Sequence, residues 1–158
     1  MGEETSGDLR PGEVRAALPE AFDAGVNFIG MIRTPWTRRV DCPRRGTPEG
    51  PLCRIEIDAR WEQALEGVAK MPRLQVLYWM HEARRDLLRQ APRRGSGISG
   101  TFSLRSPVRP NPIASSVVTL VAVEGLSLMV RGLDCLDRTP LVDLKPDLCR
   151  HAMEPDPI

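Results

Sequence analysis

The hydrophobic pattern of this chain is mostly that of β-strands. Residues 53–57 alternate apolar and polar side chains with a period of two, as in a strand with one buried face. Residues 74–80 are almost continuously apolar, which suits a strand buried on both faces. Residues 113–123 are rich in β-branched side chains, and the Glu124-Gly125 pair that follows them in the chain predicts a hairpin. The pattern therefore predicts a mainly β fold.

Further strands and short helices complete this pattern. Residues 26–32 and 140–144 have the composition of core strands. Asp58 can cap a short helix that ends near residue 68, and residues 83–90 could form a second helix with Leu87 and Leu88 inward. The sequence predicts a small antiparallel β-barrel with one or two short helices, an α+β fold dominated by strands.

The 158 residues correspond to one domain. We expect an N-terminal arm over residues 1–24, with a helical turn at 13–18, a barrel domain over residues 25–148, and a polar tail over residues 149–158. The sequence contains no apolar run of transmembrane length and no basic-then-apolar leader. A soluble cytoplasmic protein without membrane attachment is expected.

The stretch 100–116 carries the most unusual chemistry of the chain. It opens with strand-like alternation, and three prolines between residues 107 and 112 then exclude a helix. Arg105, Arg109 and Asn111 thus lie on a stiff arm, and a pre-ordered arm loses less entropy when it binds a ligand. The alternative is a rigid connection between strands whose arginines are only solvated.

Charge and cysteine content narrow the functional classes. The net charge of +1 gives no global signal for nucleic acid, although nearly all basic residues are arginines, which suit phosphate and carboxylate. Solvated faces and RNA binding both explain these arginines. The cysteines and histidines lack zinc spacing, so we expect no metal and reduced thiols. Residues 95–100 fit a dinucleotide motif, but a strand follows them instead of a helix, which favours a flexible loop.

Five segments in order resemble the TsaA-like (YaeB-like) family. They are FIGMIRTP at 28–35, CPRR at 42–45, LYWMHE at 77–82, the stretch 100–116, and LDCLDRTP with VDLKP between 133 and 146. Characterised bacterial members are small β-barrel proteins that use S-adenosylmethionine to methylate N6 of threonylcarbamoyladenosine beside the tRNA anticodon. The resemblance implies this activity, with tRNA as partner, in a homodimer. The alternative is a barrel that binds S-adenosylmethionine or RNA but uses another acceptor or does not turn over.

The resemblance also implies site residues. Cofactor contacts are expected from Pro43, Arg44, Arg45, His81, Glu82, Arg105, Ser115, Leu133, Asp134, Leu136 and Asp137. Contacts to tRNA are expected from Arg109, Asn111, Arg138, Arg93 and Arg94. Asp137 and His81 are the candidate catalytic residues, and Asp137 could equally cap the turn between the last strands. Capping is the expected role of Asp143 and Lys145.

Four positions depart from the pattern of the tRNA-modifying members. Those members have Gln where Arg45 stands, Gly where Ala114 and Arg138 stand, and Tyr where Asp147 stands. An arginine in place of a glycine in a tight turn is expected to force a different backbone or to fill a pocket. The longer bacterial members also carry a C-terminal domain beyond the barrel. These departures leave the methyl acceptor open.

Overall fold

The computed structural model describes residues 9–92 and 97–148. Over these residues the chain forms nine β-strands and four 3-10 helices, and it forms no α-helix there. The strands are β1 (Val14–Arg15), β2 (Gly30–Arg33), β3 (Cys53–Ile57), β4 (Arg73–Trp79), β5 (Leu87–Gln90), β6 (Ser99–Gly100), β7 (Ile113–Glu124), β8 (Ser127–Arg131) and β9 (Thr139–Pro146). The 3-10 helices are Arg39–Asp41, Ala59–Leu65, Val68–Lys70 and Thr101–Ser103. No helix in the described part is long and apolar enough to cross a membrane.

Six strands close into a barrel in the order β2-β3-β8-β7-β4-β9. They belong to a compact unit formed by residues 26–79 and 114–148. Alternate side chains point inward, because successive residues of a strand face opposite sides of the sheet. Ile32, Ile55 and Leu128 are fully buried in this way. The predicted mainly β fold with a small antiparallel barrel is confirmed.

A second compact unit comprises the described residues among 9–25 and 80–113. Its three-stranded sheet has the order β1-β5-β6 and pairs Arg15 with Leu87 and Arg89 with Gly100. The described residues between 80 and 113 cluster with the N-terminal segment, and the boundaries expected from the sequence, 1–24 and 25–148, stay a prediction.

Buried polar side chains hold this smaller unit together. The Thr101 hydroxyl donates to the Leu87 carbonyl at 2.6 Å and accepts from Gln90 Nε2 at 2.9 Å. Gln90 Nε2 also donates to the Val108 carbonyl at 2.6 Å. Thr101 and Gln90 are both buried, and a buried polar group left without partners would destabilise the fold. These bonds attach the proline-rich stretch to β5.

Three predictions of local structure are wrong, two of them because cross-strand pairing overrides the local pattern. Residues 13–18 contain β1 instead of a helical turn. Residues 83–90 contain β5 instead of a helix, and Leu88 is 52% exposed instead of inward. The stretch 100–105 is not a strand, since β6 ends at Gly100 and a 3-10 turn follows whose Phe102 is 82% exposed.

The predicted helix after β3 has the predicted cap but a different geometry. Asp58 accepts a hydrogen bond from the Arg60 amide at 3.0 Å, as an N-cap does. The segment Ala59–Leu65 is a 3-10 helix, which completes a turn in three residues instead of 3.6. Ala64, which α-helical spacing from Trp61 would place on the core face, is exposed.

Candidate functional site

A long segment between β2 and β3, here called the arginine loop (residues 34–50), is attached to the barrel at both ends. At its start, the Thr34 amide donates to Asp137 Oδ1 at 3.1 Å, and the Thr34 hydroxyl donates to the Cys135 carbonyl at 2.9 Å. The Asp137 amide donates to the Trp36 carbonyl at 2.7 Å. The start of the loop is thus fixed to the connection between β8 and β9.

The end of the arginine loop is attached to the last residue of β8 and to the same connection. The Gly46 amide donates to Asp134 Oδ2 at 3.3 Å, and Arg131 Nη1 donates to the Gly50 carbonyl at 2.6 Å. The backbone of Gly46 also passes so close to Gly132 that a Cβ at position 46 would overlap the Gly132 carbonyl oxygen. Glycine is therefore required at position 46 for this approach.

Between these attachments the loop presents two arginines to solvent. Pro43, Arg44 and Arg45 are exposed, and neither guanidinium has a partner among the described residues. Asp41, the nearest carboxylate along the chain, is held by Arg38 at 2.8 and 3.0 Å, and this bond lowers the pKa of Asp41. Two unpaired guanidiniums on an attached loop can bind a carboxylate or a phosphate bidentately.

Asp137 acts here as a cross-link between chain segments. One oxygen of its carboxylate accepts from the Thr34 amide, and the other lies 3.6 Å from Arg33 Nη1. Thr139, which follows shortly after, donates from its hydroxyl to the Leu136 carbonyl at 2.8 Å and closes the turn. The geometry favours the structural alternative for Asp137 over a free catalytic carboxylate.

A buried phenol lies behind Asp134. Tyr78 on β4 is 2% exposed, and its hydroxyl donates to Asp134 Oδ1 at 2.7 Å and lies 2.9 Å from Ser116 Oγ. Burial raises the pKa of Tyr78, and the charge of Asp134 raises it further, so the phenol stays protonated. Sequence reasoning missed Tyr78 because it lies in an apolar run. The available signal was its hydroxyl, which needs a partner when it is buried.

The other candidates of the barrel unit differ in exposure. Leu133 is 2% exposed, so its side chain belongs to the core and only its backbone is available to a ligand. Leu136 is half-buried. Ser115 accepts from Gln75 Nε2 at 3.0 Å, a bond between β7 and β4. Ser115 is therefore already engaged within the sheet.

Arg138 keeps a glycine-like backbone. Its φ of 65° is the only positive φ of a non-glycine residue in the described ranges, and its amide donates to the Ile32 carbonyl at 2.8 Å. Its side chain is exposed, so it does not fill a pocket as one predicted outcome required. The pair Asp143 and Lys145 forms an ion pair at 2.8 Å, while Asp143 also accepts from the following amide, in keeping with a structural role.

The remaining described candidates belong to the smaller unit. His81 and Glu82 lie in the turn after β4, with 3.9 Å between His81 Nε2 and Glu82 Oε1. Arg109 Nη1 donates to the carbonyls of Leu104 and Ser106 at 2.8 and 3.0 Å, and so holds the proline-rich arm in shape.

Asn111 and Arg105 lie on the same proline-rich arm. Asn111 Oδ1 accepts from Arg85 Nη2 at 3.3 Å. Arg105 is exposed and has no partner among residues 9–92 and 97–148, which makes it the available cation of the arm. Arg93 and Arg94 lie outside the described residues.

Comparison with known proteins adds to this geometry. Residues 31–151 match the family model described as the tRNA-methyltransferase O N-terminal domain. A Rhizobium radiobacter protein named probable S-adenosyl-L-methionine-binding protein VirR is 55% identical over 88% of this chain and 79% of its own length. An Archaeoglobus fulgidus S-adenosyl-L-methionine-binding protein is 38% identical over 74% of this chain and 84% of its own length.

Two longer proteins are also similar. The Escherichia coli tRNA (adenine(37)-N6)-methyltransferase is 32% identical over 81% of this chain and 59% of its own length. A crystal structure of TrmO from Pseudomonas aeruginosa has a TM-score of 0.69 and 28% identity over 87% of this chain and 61% of that one. This chain therefore spans about three-fifths of the length of these two proteins.

Proposed function

Because this chain belongs to the family of the tRNA-methyltransferase O N-terminal domain, we propose that it is an S-adenosylmethionine-dependent methyltransferase that modifies N6 of an adenine beside the tRNA anticodon. The observation that carries the proposal is the arginine loop, which is attached at both ends and presents Arg44 and Arg45 without partners among the described residues. The names of the relatives support S-adenosylmethionine as its ligand and a tRNA adenine as the acceptor.

The donor groups of the loop fit this cofactor. S-adenosylmethionine supplies a methyl group that is already activated by the sulfonium. The protein must hold the methionine carboxylate, orient the methyl group and exclude water. We assign the carboxylate to Arg44 and Arg45, with Pro43 shaping the loop. We assign the backbone between Leu133 and Leu136, together with Asp134 and Asp137, to the support of the loop and to cofactor contacts.

Proton removal from the adenine amine needs an acceptor, for which we propose His81. Asp137 is less suited, since both its carboxylate oxygens already face donors in the barrel unit. The His81 side chain is 33% exposed and therefore accessible to a ligand. A His81→Gln variant should lose far more of its methyl transfer than of its cofactor affinity.

We propose that the modified adenine carries a threonylcarbamoyl group. Its carboxylate is an anion that the exposed guanidinium of Arg138 can bind. Arg105, which the family resemblance assigns to the cofactor, is a further exposed cation. We also propose a cytoplasmic homodimer, because a site made from surface loops gains depth when a second subunit covers it. Sedimentation that shows only monomer at micromolar concentration, with full cofactor affinity, would exclude the dimer.

A second candidate function is cofactor binding without tRNA methylation. It is favoured by the names of two relatives of which this chain covers about four-fifths. The Rhizobium and Archaeoglobus proteins, covered over 79% and 84% of their length, are both named as S-adenosyl-L-methionine-binding proteins. The Escherichia coli protein, which is named as a methyltransferase, is covered over 59%.

One experiment separates these functions. Calorimetry first measures S-adenosylmethionine binding, and labelled S-adenosylmethionine is then incubated with tRNA from cells that lack the methyl modification, beside an active relative. Methylated adenosine supports the enzyme, binding without transfer supports the second candidate, and no binding refutes both.

The loop itself is tested with Arg44→Ala and Arg45→Ala against Arg39→Ala, which removes the same charge from an exposed position of the same loop. Loss of a charged hydrogen bond, about 1.5–3 kcal/mol, should weaken binding by roughly ten- to a hundredfold in at least one of the first two variants, and not in the control. Equal affinity in all three would remove the two arginines from the site.

A further inference from the structure

Four groups form one continuous chain of hydrogen bonds from the barrel interior to the arginine loop. Ser116 Oγ lies 2.9 Å from the Tyr78 hydroxyl, which lies 2.7 Å from Asp134 Oδ1. The other oxygen of Asp134, Oδ2, accepts from the Gly46 amide at 3.3 Å. Gly46 directly follows Arg45, the second arginine of the pair Arg44 and Arg45. All four groups belong to the barrel unit.

The direction of each bond follows from the number of protons. A phenol has one proton to donate, and a carboxylate has none. Tyr78 therefore donates its one proton to Asp134, and the Ser116 hydroxyl is left to donate either to the Tyr78 oxygen at 2.9 Å or to Asp134 Oδ1 at 3.5 Å. Asp134 Oδ2 is left to accept from the Gly46 amide of the loop. The carboxylate cannot rotate without losing its bond to the buried phenol.

The strength of this constraint comes from burial. Tyr78 is 2% exposed, so water cannot replace the bond between its hydroxyl and Asp134. Bonds to a charged acceptor in such surroundings are stronger than bonds between neutral groups. Gly46 in turn cannot move toward the barrel, because its backbone is already in contact with the carbonyl group of Gly132. The hydrogen bond to Asp134 and the contact with Gly132 thus both restrict the position of Gly46.

We propose that Tyr78 is a positioning residue, which orients Asp134 so that the Gly46 amide, and with it Arg44 and Arg45, is held in a geometry that binds the cofactor. Tyr78 acts through Asp134 and touches no ligand itself. This inference rests on the proposed function, because it takes the arginine loop as the binding site for the S-adenosylmethionine carboxylate.

The test uses Tyr78→Phe, which removes the hydroxyl and keeps the ring in the core. Amide exchange at Gly46, measured by NMR in the protein without cofactor, should become about two- to tenfold faster, as expected for the loss of one hydrogen bond. Exchange of the β3 and β8 amides should change less. The affinity for S-adenosylmethionine should fall by a similar factor of roughly two to ten.

The matched control is Ile55→Val, which removes one methyl group from the fully buried side of β3. This change lowers stability and leaves the chain of hydrogen bonds intact. The ratio of Gly46 exchange to strand-amide exchange should therefore stay as in the wild type, and so should the affinity for S-adenosylmethionine. If Tyr78→Phe does not fold, Ser116→Ala removes the half-buried donor at the other end and should speed Gly46 exchange by a smaller factor.

The outcomes separate the two proposals. Unchanged Gly46 exchange in the folded variant overturns the positioning role, whatever the cofactor result. Faster Gly46 exchange with unchanged affinity also overturns it, and leaves the proposed function standing if the wild type binds S-adenosylmethionine. A wild type that does not bind S-adenosylmethionine refutes the proposed function instead. Faster exchange together with weaker binding, both absent from Ile55→Val, supports the inference.

Discussion

Replacement of Gly46 by alanine is the sharpest perturbation of the arginine loop. A Cβ at position 46 would fall more than 1 Å inside the 3.0 Å limit below which real Cβ contacts essentially do not occur. The atom it meets is the backbone carbonyl oxygen of Gly132, which cannot rotate away as a side chain would. The two backbone segments must therefore separate by more than 1 Å, and the Gly46 hydrogen bond to Asp134 is lost.

Two effects of Gly46→Ala follow with different magnitudes. Overpacking of this kind destabilises a fold by about 1–3 kcal/mol, which urea denaturation measures. Displacement of a ligand-binding loop by about 1 Å can cost a factor of about a hundred in activity, so S-adenosylmethionine affinity should fall by at least about tenfold. Calorimetry on the folded variant measures the second effect separately from the first.

Gly25→Ala is the control for the glycine-to-alanine change itself. A Cβ at position 25 meets nothing within 4 Å, and its φ lies outside the positive range. Its stability should stay within about 0.5 kcal/mol of the wild type. Wild-type stability and affinity in Gly46→Ala would show that the loop does not depend on this close approach. Lower stability with unchanged affinity would show that the loop attachment is not coupled to the cofactor.

Two further predictions concern titratable groups. Alkylation of the native protein, mapped by mass spectrometry, should modify half-buried Cys42 and spare Cys53 and Cys135. The reason is that burial raises the pKa of the Cys53 and Cys135 thiols, to about 12 for Cys135. Rapid labelling of Cys135 in the native protein would contradict this. The Arg84 hydrogen bonds lower the pKa of Asp86, so its contribution to stability is present above the unfolded pKa of about 4 and is lost as the pH falls through the lower folded value. Asp86→Asn should therefore destabilise at neutral pH and approach the wild type in acid, and an equal stability difference at both pH values would refute the argument.

Much of the barrel could be predicted because strand signals are local. The alternation over Cys53–Ile57 and the β-branched run that begins at Ile113 both predict their strands almost to the residue, since a strand places alternate side chains on opposite faces. The cap at Asp58 is equally local, because the side chain bonds an amide two residues away. The prolines and glycines between residues 34 and 50 are likewise a local signal, and they are typical of a loop.

The errors lie where the local signal was weak and pairing partners were distant. The segment at residues 83–90 has a plausible helical pattern, yet β5 forms because β1 and β6 supply its hydrogen bonds. At residues 101–103 a 3-10 turn stands where a strand was expected, and the Thr101 hydroxyl donates to the carbonyl of Leu87, 14 residues away in the chain. The partners of β5 and of Thr101 lie outside the few neighbouring residues on which a local propensity depends.

The sequence by itself determined which residue types the site contains, since the arginines, the aspartates and the glycine are all present in recognisable segments. Only the tertiary structure decided their roles. Tyr78 and Asp134 are 56 residues apart in the chain, and Gly46 and Asp134 are 88 residues apart, yet each pair shares a hydrogen bond. Closure of the barrel brings these groups together, and closure depends on the pairing of all six strands, which no local segment of the chain specifies.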